Sequence, residues 1–401
     1  MRNIKNKLSF NFVDFHSANK PFYYITKVLG LASYSYNRNC LNYKFNNVFV
    51  MLSILWSFLM LCALLGICAH HINHFVLTVY NRETPNFITS DILSKILWYS
   101  SPASSMICGL INGKKMAGIT RKLSNIDVIL LETKRFKTYK RIFCFQFVEI
   151  VFCIVCVLII TGYSSWAWGS NFRSAYENYE CVTVFLTFLS DIQYMNVIYH
   201  LKYRYKELNN KLKHSLTFNL HSRTIGTPRG RIIKKHQEEN LKTLRHIHNE
   251  LNEIVNNVNS CYGFQILVEI ASIFVQIVSK SYLSSVMFKY LITLKGNRFK
   301  YYSCKVIAIF NYALFSCIKL LGLCVICNLA TWRANYSLVV IHKLMMRRDL
   351  NPDIFSELYE FSVQIANSKV AFTAFNVFPL NMATFLQVIG VSFTYVIIFH
   401  Q

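Results

Sequence analysis

Long apolar stretches alternate with polar, basic segments along almost the whole chain. A helix needs about 20 mostly apolar residues to cross the hydrocarbon layer of a membrane. We predict seven membrane-spanning helices, at 45–71, 88–113, 142–166, 179–201, 260–291, 303–332 and 378–399. Two of these seven depart from the pattern. The second carries Asp91, Lys95 and a serine-rich tract, and the fifth is longer than a span and should continue into the cytosol.

The longest polar segment, 202–258, is predicted to form two helices separated by a break at 217–230, where Gly226 and Pro228 occur. After the break, apolar residues recur at helical spacing, which indicates a helix that packs against another helix. The partner is either the same chain or another subunit, and the pattern leaves both open. The residues that form this face are Leu244, Ile247, Leu251, Ile254 and Val258.

Two prolines mark further boundaries near the end of the chain. Asn351 can cap a helix that has Pro352 at its first position, so a short cytosolic helix is expected there. Pro379 is expected to break the chain before the last span.

Composition and charge agree with a membrane protein and argue against a soluble enzyme. Hydrophobic residues make up 53% of the 401 residues and charged residues 15%, and the mean hydropathy is +0.30. Of the 43 Lys and Arg residues, 33 lie in the N-terminal segment and alternate loops, and only 5 lie in the other loops. Because basic loops stay in the cytosol, the N-terminus is predicted to be cytosolic and the C-terminus extracellular.

The predicted protein is therefore an all-α, polytopic membrane protein with long cytosolic helical extensions. Its basic cytosolic loops suit the anionic lipid of the inner leaflet, which makes membrane lipid an expected partner. The predicted regions are a cytosolic N-terminal segment (1–44), the bundle of the first six spans (45–332) with a cytosolic helical anchor (202–258), a cytosolic helix (333–377) and the last membrane helix (378–401).

Several short motifs resemble those of the insect gustatory receptor family. Thr394-Tyr395, followed by five residues and Gln401, is similar to the family's TY-x5-QF signature. Phe361-Ser-Val-Gln364 resembles the FSxQ element, and 372–378 resembles the FTAxGxF stretch. The segment 21–31 resembles the N-terminal P…LGL element, so the likeness extends over the whole topology.

Three positions depart from the family pattern. Asn376 stands where the family usually has Gly, and the chain ends at Gln401, so the Phe of the signature is absent. Val396 follows the Tyr of the signature, where sugar-sensing members usually carry Glu. The resemblance is therefore to the bitter-type or orphan members.

The resemblance implies a chemosensory, ligand-gated, non-selective cation channel in the plasma membrane of sensory neurons. It also implies a homo- or heterotetramer of related subunits, a central pore lined by the last helix, and a pocket for a small tastant-type molecule in the outer half of each bundle. An auxiliary subunit of a heteromeric channel is the first alternative. A metabotropic seven-helix receptor and a transporter are weaker alternatives, because the charge asymmetry opposes the first and no internal repeat supports the second.

The last apolar segment carries one stripe of small or polar residues at helical spacing. Polar groups that face lipid are costly, so such a stripe should face water or protein. A pore lining and a helix–helix contact both satisfy this condition. Tyr395 points about 100° away from Thr394 and is expected to pack on a neighbouring helix. The candidate pore residues are Gln401, Ile397, Thr394, Gly390 and Gln387.

Ionisable and aromatic residues in the predicted spans are candidates for a ligand site. Ionisable side chains inside a membrane are frequently functional, and aromatic residues with a few polar groups suit a small organic ligand. Interfacial aromatic belts and a structural Asp191–Lys280 ion pair are the alternative interpretations. The candidate ligand-binding residues are Trp98, Tyr99, Tyr163, Trp166, Thr187, Asp191 and Lys280.

No other chemistry is indicated by the sequence. The pairs Cys153/Cys156 and Cys324/Cys327 lie in apolar helices, where residues three apart simply share a face, so we expect no metal site. We also find no nucleophile–base signature and no phosphate-binding glycine loop. We therefore expect no enzymatic activity, no cofactor and no nucleic-acid partner.

Overall fold

The computed structural model describes residues 15–34, 36–37, 40–41, 48–79, 85–131, 135–168, 174–215, 228–292, 297–347 and 350–399. In these ranges the chain is almost entirely helical, with two small antiparallel hairpins. The helices are α1 (Phe15–Val28), α2 (Val48–Val79), α3 (Pro85–Leu130), α4 (Arg135–Trp168), α5 (Ser174–Ser215), α6 (Pro228–Ile292), α7 (Asn297–Met345), α8 (Pro352–Asn367) and α9 (Met382–Ile398). The strands are β1 (Tyr36–Asn37), β2 (Cys40–Leu41), β3 (Thr373–Ala374) and β4 (Phe378–Pro379).

The seven predicted spans fall in α2 to α7 and α9, which confirms the all-α prediction. Four helical stretches among the described residues are long and apolar enough to cross a membrane, and the Met382–Ile398 helix is a shorter apolar one. Within the described residues, α3 and α5 contain no stretch that is long and apolar enough by this measure. Both helices place polar side chains such as Ser101, Ser104, Asp191 and Gln193 in the interior of the bundle, where protein rather than lipid surrounds them.

The long α6 forms the centre of the molecule. It packs against α3 and α7 along much of its length, and it also contacts α5, α8 and α9. The face that includes Leu244, Ile247 and Leu251 is buried within the single chain, together with Leu208 of α5 and Leu358 of α8. The partner of this face is therefore the same chain and not another subunit.

The last membrane helix starts later than the sequence pattern predicts. The span was expected from residue 378, but α9 begins at Met382, where the Asn381 side chain accepts a hydrogen bond from the Thr384 backbone N–H. Residues 378–379 instead form β4, which pairs with β3. The segment 333–377, expected as one cytosolic helix, contains the end of α7, the separate helix α8 and β3.

The β3–β4 hairpin turns through two residues in the left-handed region, Phe375 (φ 50°) and Asn376 (φ 59°). Asn tolerates this conformation better than most residues, which accounts for Asn376 at a position where the resembling motif has Gly. The hairpin lies directly on α6, because a Cβ added at Gly263 would come within 2.9 Å of the Phe375 backbone nitrogen. The hairpin thus couples the centre of the bundle to the start of α9.

His248 lies outside the predicted membrane-spanning segments, fully buried on α6 between the rings of Tyr205 and Phe361. Burial lowers the pKa of His248 to about 4, because the charged imidazolium would lose its water. The folded pKa lies below the unfolded value near 6.5, so the stabilisation is present above pH 6.5 and is lost as the pH falls towards 4.

Lowering the pH from 7 to 4.5 is therefore expected to cost the wild-type protein on the order of 2 kcal/mol of stability through His248 alone. Thermal unfolding of the purified protein at both pH values measures this loss. His248→Gln should remove that part of the pH dependence, and His246→Gln, at a side chain that is 74% exposed, should retain it. Equal pH dependence in the two variants would contradict this assignment.

Candidate functional site

Helix α9 leaves most of its surface uncovered within one chain. It packs against α6 and α7, and Thr384 and Ser392 are its only buried residues. Among the predicted pore residues, Gln387, Gly390, Thr394 and Ile397 are all exposed, and Ile397 is 61% exposed. Gln401 lies outside the described residues. The candidate pore stripe is therefore available to water, lipid or other subunits.

The aromatic residues near the C-terminal end of α9 hold another side of the helix against α6. The ring of Tyr395 meets that of Phe274 edge-on, with 5.8 Å between the centroids. The ring of Phe399 lies 5.7 Å from that of Tyr282. Tyr395 thus packs on a neighbouring helix of its own chain, the arrangement that the helical wheel predicts. These contacts orient α9 while leaving its polar stripe uncovered.

A buried cluster of charged residues joins three helices inside the bundle. The Nζ atom of Lys319 on α7 lies 2.6 Å from Oε1 of Glu269 on α6 and 2.9 Å from Oδ2 of Asp191 on α5. Ser101 on α3 donates its hydroxyl hydrogen to Oε2 of Glu269. All three charged side chains are at least 90% buried. Because each carboxylate is close to the ammonium group, the cluster fixes the relative positions of the helices.

The sequence pattern marks Asp191 as a candidate but does not indicate Lys319 as its partner. The structure pairs Asp191 with Lys319 and not with Lys280. One signal in the sequence was available: Asp191 and Lys319 lie near the midpoints of the predicted spans 179–201 and 303–332, so they are expected at similar depth. Opposite charges at the same depth of a membrane are strongly favoured to pair.

A small cavity of about 10 Å³ lies beside this cluster. This volume holds about one water molecule. Ser316 donates a hydrogen bond to the Gln276 side chain at 3.2 Å on its wall. Two predicted ligand-binding residues, Trp98 and Thr187, line it. Its polar lining residues also include Glu269, Ser272, Gln276, Ser316 and Lys319.

The other predicted ligand-binding residues have different positions. Tyr99 is buried in the surrounding apolar core, and Asp191 reaches the cavity only through Lys319. The Nζ atom of Lys280 lies 6.0 Å from the ring centroid of Tyr312, and that ring contacts Trp98. Tyr163 and Trp166 contact each other, with their ring centroids 5.7 Å apart, but neither is among the residues that line the cavity.

Trp166 is 66% exposed, so it presents a surface and not an enclosed site. Its position near the end of α4 suits a residue at the membrane interface. The geometry therefore separates the predicted ligand residues into a cavity group around Trp98 and Thr187 and a surface group that includes Trp166.

The residues of the FSxQ element lie far along the chain from this cavity, on α8. Phe361 is 1% exposed and packs edge-on against His248 of α6. The Gln364 backbone oxygen accepts a hydrogen bond from the Ser368 N–H at the end of α8. The element thus anchors α8 to α6, outside the predicted membrane segments.

Among the residues that the structure describes, no group of three or more His, Cys, Asp or Glu side chains is arranged to hold a metal ion.

Comparison with known proteins identifies the class. The family model described as "7tm Chemosensory receptor" matches residues 20–401. The chain therefore belongs to the seven-transmembrane chemosensory receptor family, to which the insect odorant and gustatory receptors belong. This result confirms the family resemblance found in the sequence motifs. No curated protein sequence matches the chain.

The fold is similar to that of the insect olfactory receptor OR5 from Machilis hrabei. That structure has a TM-score of 0.67 and 11% sequence identity, and the match covers 98% of this chain and 99% of that chain. A structure of the same receptor in complex with eugenol has a TM-score of 0.62 and 14% identity, and that match covers 95% of this chain and 97% of that chain. At such low identity, the likeness establishes the shared helical architecture.

Proposed function

We propose that the protein is a ligand-gated, non-selective cation channel, opened by a small tastant-type molecule in the plasma membrane of sensory neurons. Four related subunits, identical or different, surround a pore lined by α9. The alternative within this proposal is an auxiliary subunit that conducts only beside another family member.

The uncovered polar stripe of α9 is the observation that carries the proposal. Gln387, Gly390 and Thr394 are exposed on a helix that is otherwise strongly apolar. The Thr394 hydroxyl donates a hydrogen bond to the Gly390 backbone oxygen at 3.1 Å, but the Gln387 amide would be unfavourable against hydrocarbon, because lipid offers it no hydrogen-bond partner. A ring of four such helices around a water-filled axis would satisfy this amide.

The cavity beside the Asp191–Lys319–Glu269 cluster supports the ligand part of the proposal. It combines an indole wall from Trp98 with hydroxyl and amide groups from Thr187 and Gln276. Such a lining suits a small aromatic or amphipathic molecule, which would have to enlarge the cavity on binding because the cavity holds about one water molecule. The eugenol complex of the similar olfactory receptor supports small-molecule binding by this architecture.

The ligand site is tested by expressing the chain, alone and with related subunits, and recording current against a panel of tastants. Once an agonist is found, Trp98→Ala and Thr187→Val should raise its half-maximal concentration more than they lower the maximum current. Trp166→Ala serves as a control at the exposed surface. A shift only in Trp166→Ala would place the site outside the cavity, and current only in paired expression would establish the auxiliary role.

The distribution of basic residues predicts the orientation of the subunit. A tag at the N-terminus is expected to stay hidden from antibody in intact cells, because 33 basic residues hold that side in the cytosol. A tag at the C-terminus should be labelled without permeabilisation, and permeabilised cells provide the control. Surface labelling of the N-terminal tag would contradict the topology and favour a metabotropic seven-helix receptor.

A further inference from the structure

Cationic side chains cluster where three neighbouring helices leave the predicted membrane segments. Arg141 is the last residue before the third predicted span, Lys202 is the first after the fourth, and Arg333 is the first after the sixth. They lie on α4, α5 and α7, and these three helices pack against one another. The three side chains are therefore expected at one depth, that of the lipid headgroups on the cytosolic side of the predicted topology.

Aromatic packing joins the α4 and α5 parts of this cluster. The Nζ atom of Lys202 lies 4.8 Å from the ring centroid of Tyr199. The Tyr199 ring stacks on that of Phe145 of α4, with 4.2 Å between the centroids. Phe145 is one helical turn from Arg141, so the cations of the two helices lie on adjoining surfaces.

The cations around Lys202 are close enough to repel one another. Burial lowers the pKa of Lys202, and the positive charges of Arg333 and Lys206 lower it further. Among the residues that the structure describes, none of these three cations, nor Arg141, forms an ion pair with an Asp or Glu side chain. Crowded positive charge without a counter-charge is unfavourable, and a bound anion would relieve the repulsion.

Exposed aromatic residues border the cluster on α7. Trp332 is 52% exposed, and the guanidinium carbon of Arg333 lies 4.6 Å from its ring centroid. Tyr336 stacks on Trp332 at 5.3 Å between centroids, and the Nζ atom of Lys213 lies 5.0 Å from the Tyr336 ring. An indole at this depth can lie against the glycerol and acyl region of a lipid while the neighbouring guanidinium faces the headgroup.

We propose that Lys202, Lys206 and Arg333 form a binding site for an anionic lipid whose headgroup carries phosphomonoester groups. Several cations converge on one position, so the site favours a multiply charged phosphate headgroup over the single net charge of phosphatidylserine. Arg333 supplies a planar fork of N–H donors that can bond two phosphate oxygens, and the two lysines act as point charges.

The position of the site at the membrane surface favours a phosphate group attached to a lipid over a free one. The acyl chains of a lipid would enter the bilayer beside the exposed Trp332, which adds apolar contact that a soluble phosphate compound cannot make. The predicted topology determines only which leaflet supplies the lipid. Binding itself does not depend on the channel function proposed above.

Binding titrations of the purified full-length receptor in an uncharged detergent test the site with dioctanoyl phosphatidylinositol bisphosphate. This lipid is expected to bind saturably to the wild type and at least about tenfold more weakly to the double variant Lys202→Gln/Arg333→Gln, because two of the converging charges are lost. The matched control, Lys235→Gln/Lys343→Gln, removes the same charge from exposed positions of α6 and α7 away from the predicted spans, and it should bind like the wild type.

Lys206→Gln provides a second variant if the double variant does not fold, because Lys206 is exposed. It should weaken binding about fivefold, since one charge is lost. Soluble inositol trisphosphate, which resembles the headgroup without acyl chains, separates the two sources of phosphate and should bind the wild type more weakly than the lipid does. If it binds as tightly, the ligand is a soluble phosphate compound and the lipid assignment is wrong.

The proposal is overturned if the lipid does not bind saturably to the wild type. It is also overturned if the control variant loses as much affinity as the double variant, because that result would show a general attraction to a basic surface. Equal affinity of the wild type for dioctanoyl phosphatidylserine would contradict the preference for a multiply charged headgroup. None of these results bears on whether the receptor conducts ions.

Discussion

Replacing Lys319 by Met is expected to destabilise the receptor by about 3–5 kcal/mol. In the wild type, one ammonium group lies within 3 Å of two buried carboxylates, Asp191 and Glu269. The substitution leaves both carboxylates buried without a cationic partner. We expect a lower apparent melting temperature in detergent and little receptor at the cell surface.

Two further variants show whether charge is the cause. Lys122→Met removes a pair with Glu253 whose side chains are 46% and 53% exposed, so it should change stability by less than about 1 kcal/mol. Adding Asp191→Asn and Glu269→Gln to Lys319→Met should recover much of the loss, because no unpaired charge remains. If Lys319→Met is as stable as the wild type, the cluster does not hold the bundle together.

Replacing Ile397 by Ser is expected to raise the current at rest by about tenfold or more, because apolar constrictions close a pore by excluding water. Ile397 lies one helical turn beyond Thr394 on the exposed stripe of α9 and is 61% exposed within one chain. In the proposed channel, the Ile397 side chains of the subunits form an apolar ring around the closed pore. A hydroxyl group at this position would let water remain there. Whole-cell recording without agonist, normalised to surface expression, measures the effect.

The neighbouring residue provides the control. Ile398 has the same side chain and is 53% exposed, but it points about 100° away around the helix. Ile398→Ser should therefore leave the resting current near the wild-type value. Equal increases in both variants would indicate a general weakening of α9 and not an apolar gate at Ile397.

The helical framework was predictable because it follows from local patterns. Apolar length located the spans, and the spacing of Leu244, Ile247 and Leu251 indicated a packed helix. The break predicted at 217–230 lies mostly outside the described residues, between the end of α5 at Ser215 and the start of α6 at Pro228, and 228–230 are helical. Each of these features depends on residues close together in the chain.

The features that depend on distant residues were harder to predict. The partner of Asp191 required knowledge of which spans are adjacent, and the start of α9 required the β3–β4 pairing. Trp166 and Trp98 look alike in the sequence, since both are aromatic residues in apolar segments. Only the packing of the helices shows that Trp98 lines a cavity while Trp166 is exposed.

The central claim, that α9 lines a cation pore, is tested most directly by ion selectivity in bilayers that contain only the purified chain. Gln387 is exposed on the polar stripe, so a substitution there places a ring of charge in the pore. We predict that Gln387→Glu raises the permeability of cations relative to anions and that Gln387→Lys lowers it, both measured from reversal potentials in a salt gradient. Unchanged reversal potentials in both variants, in channels that conduct, would contradict a pore lined by this face of α9.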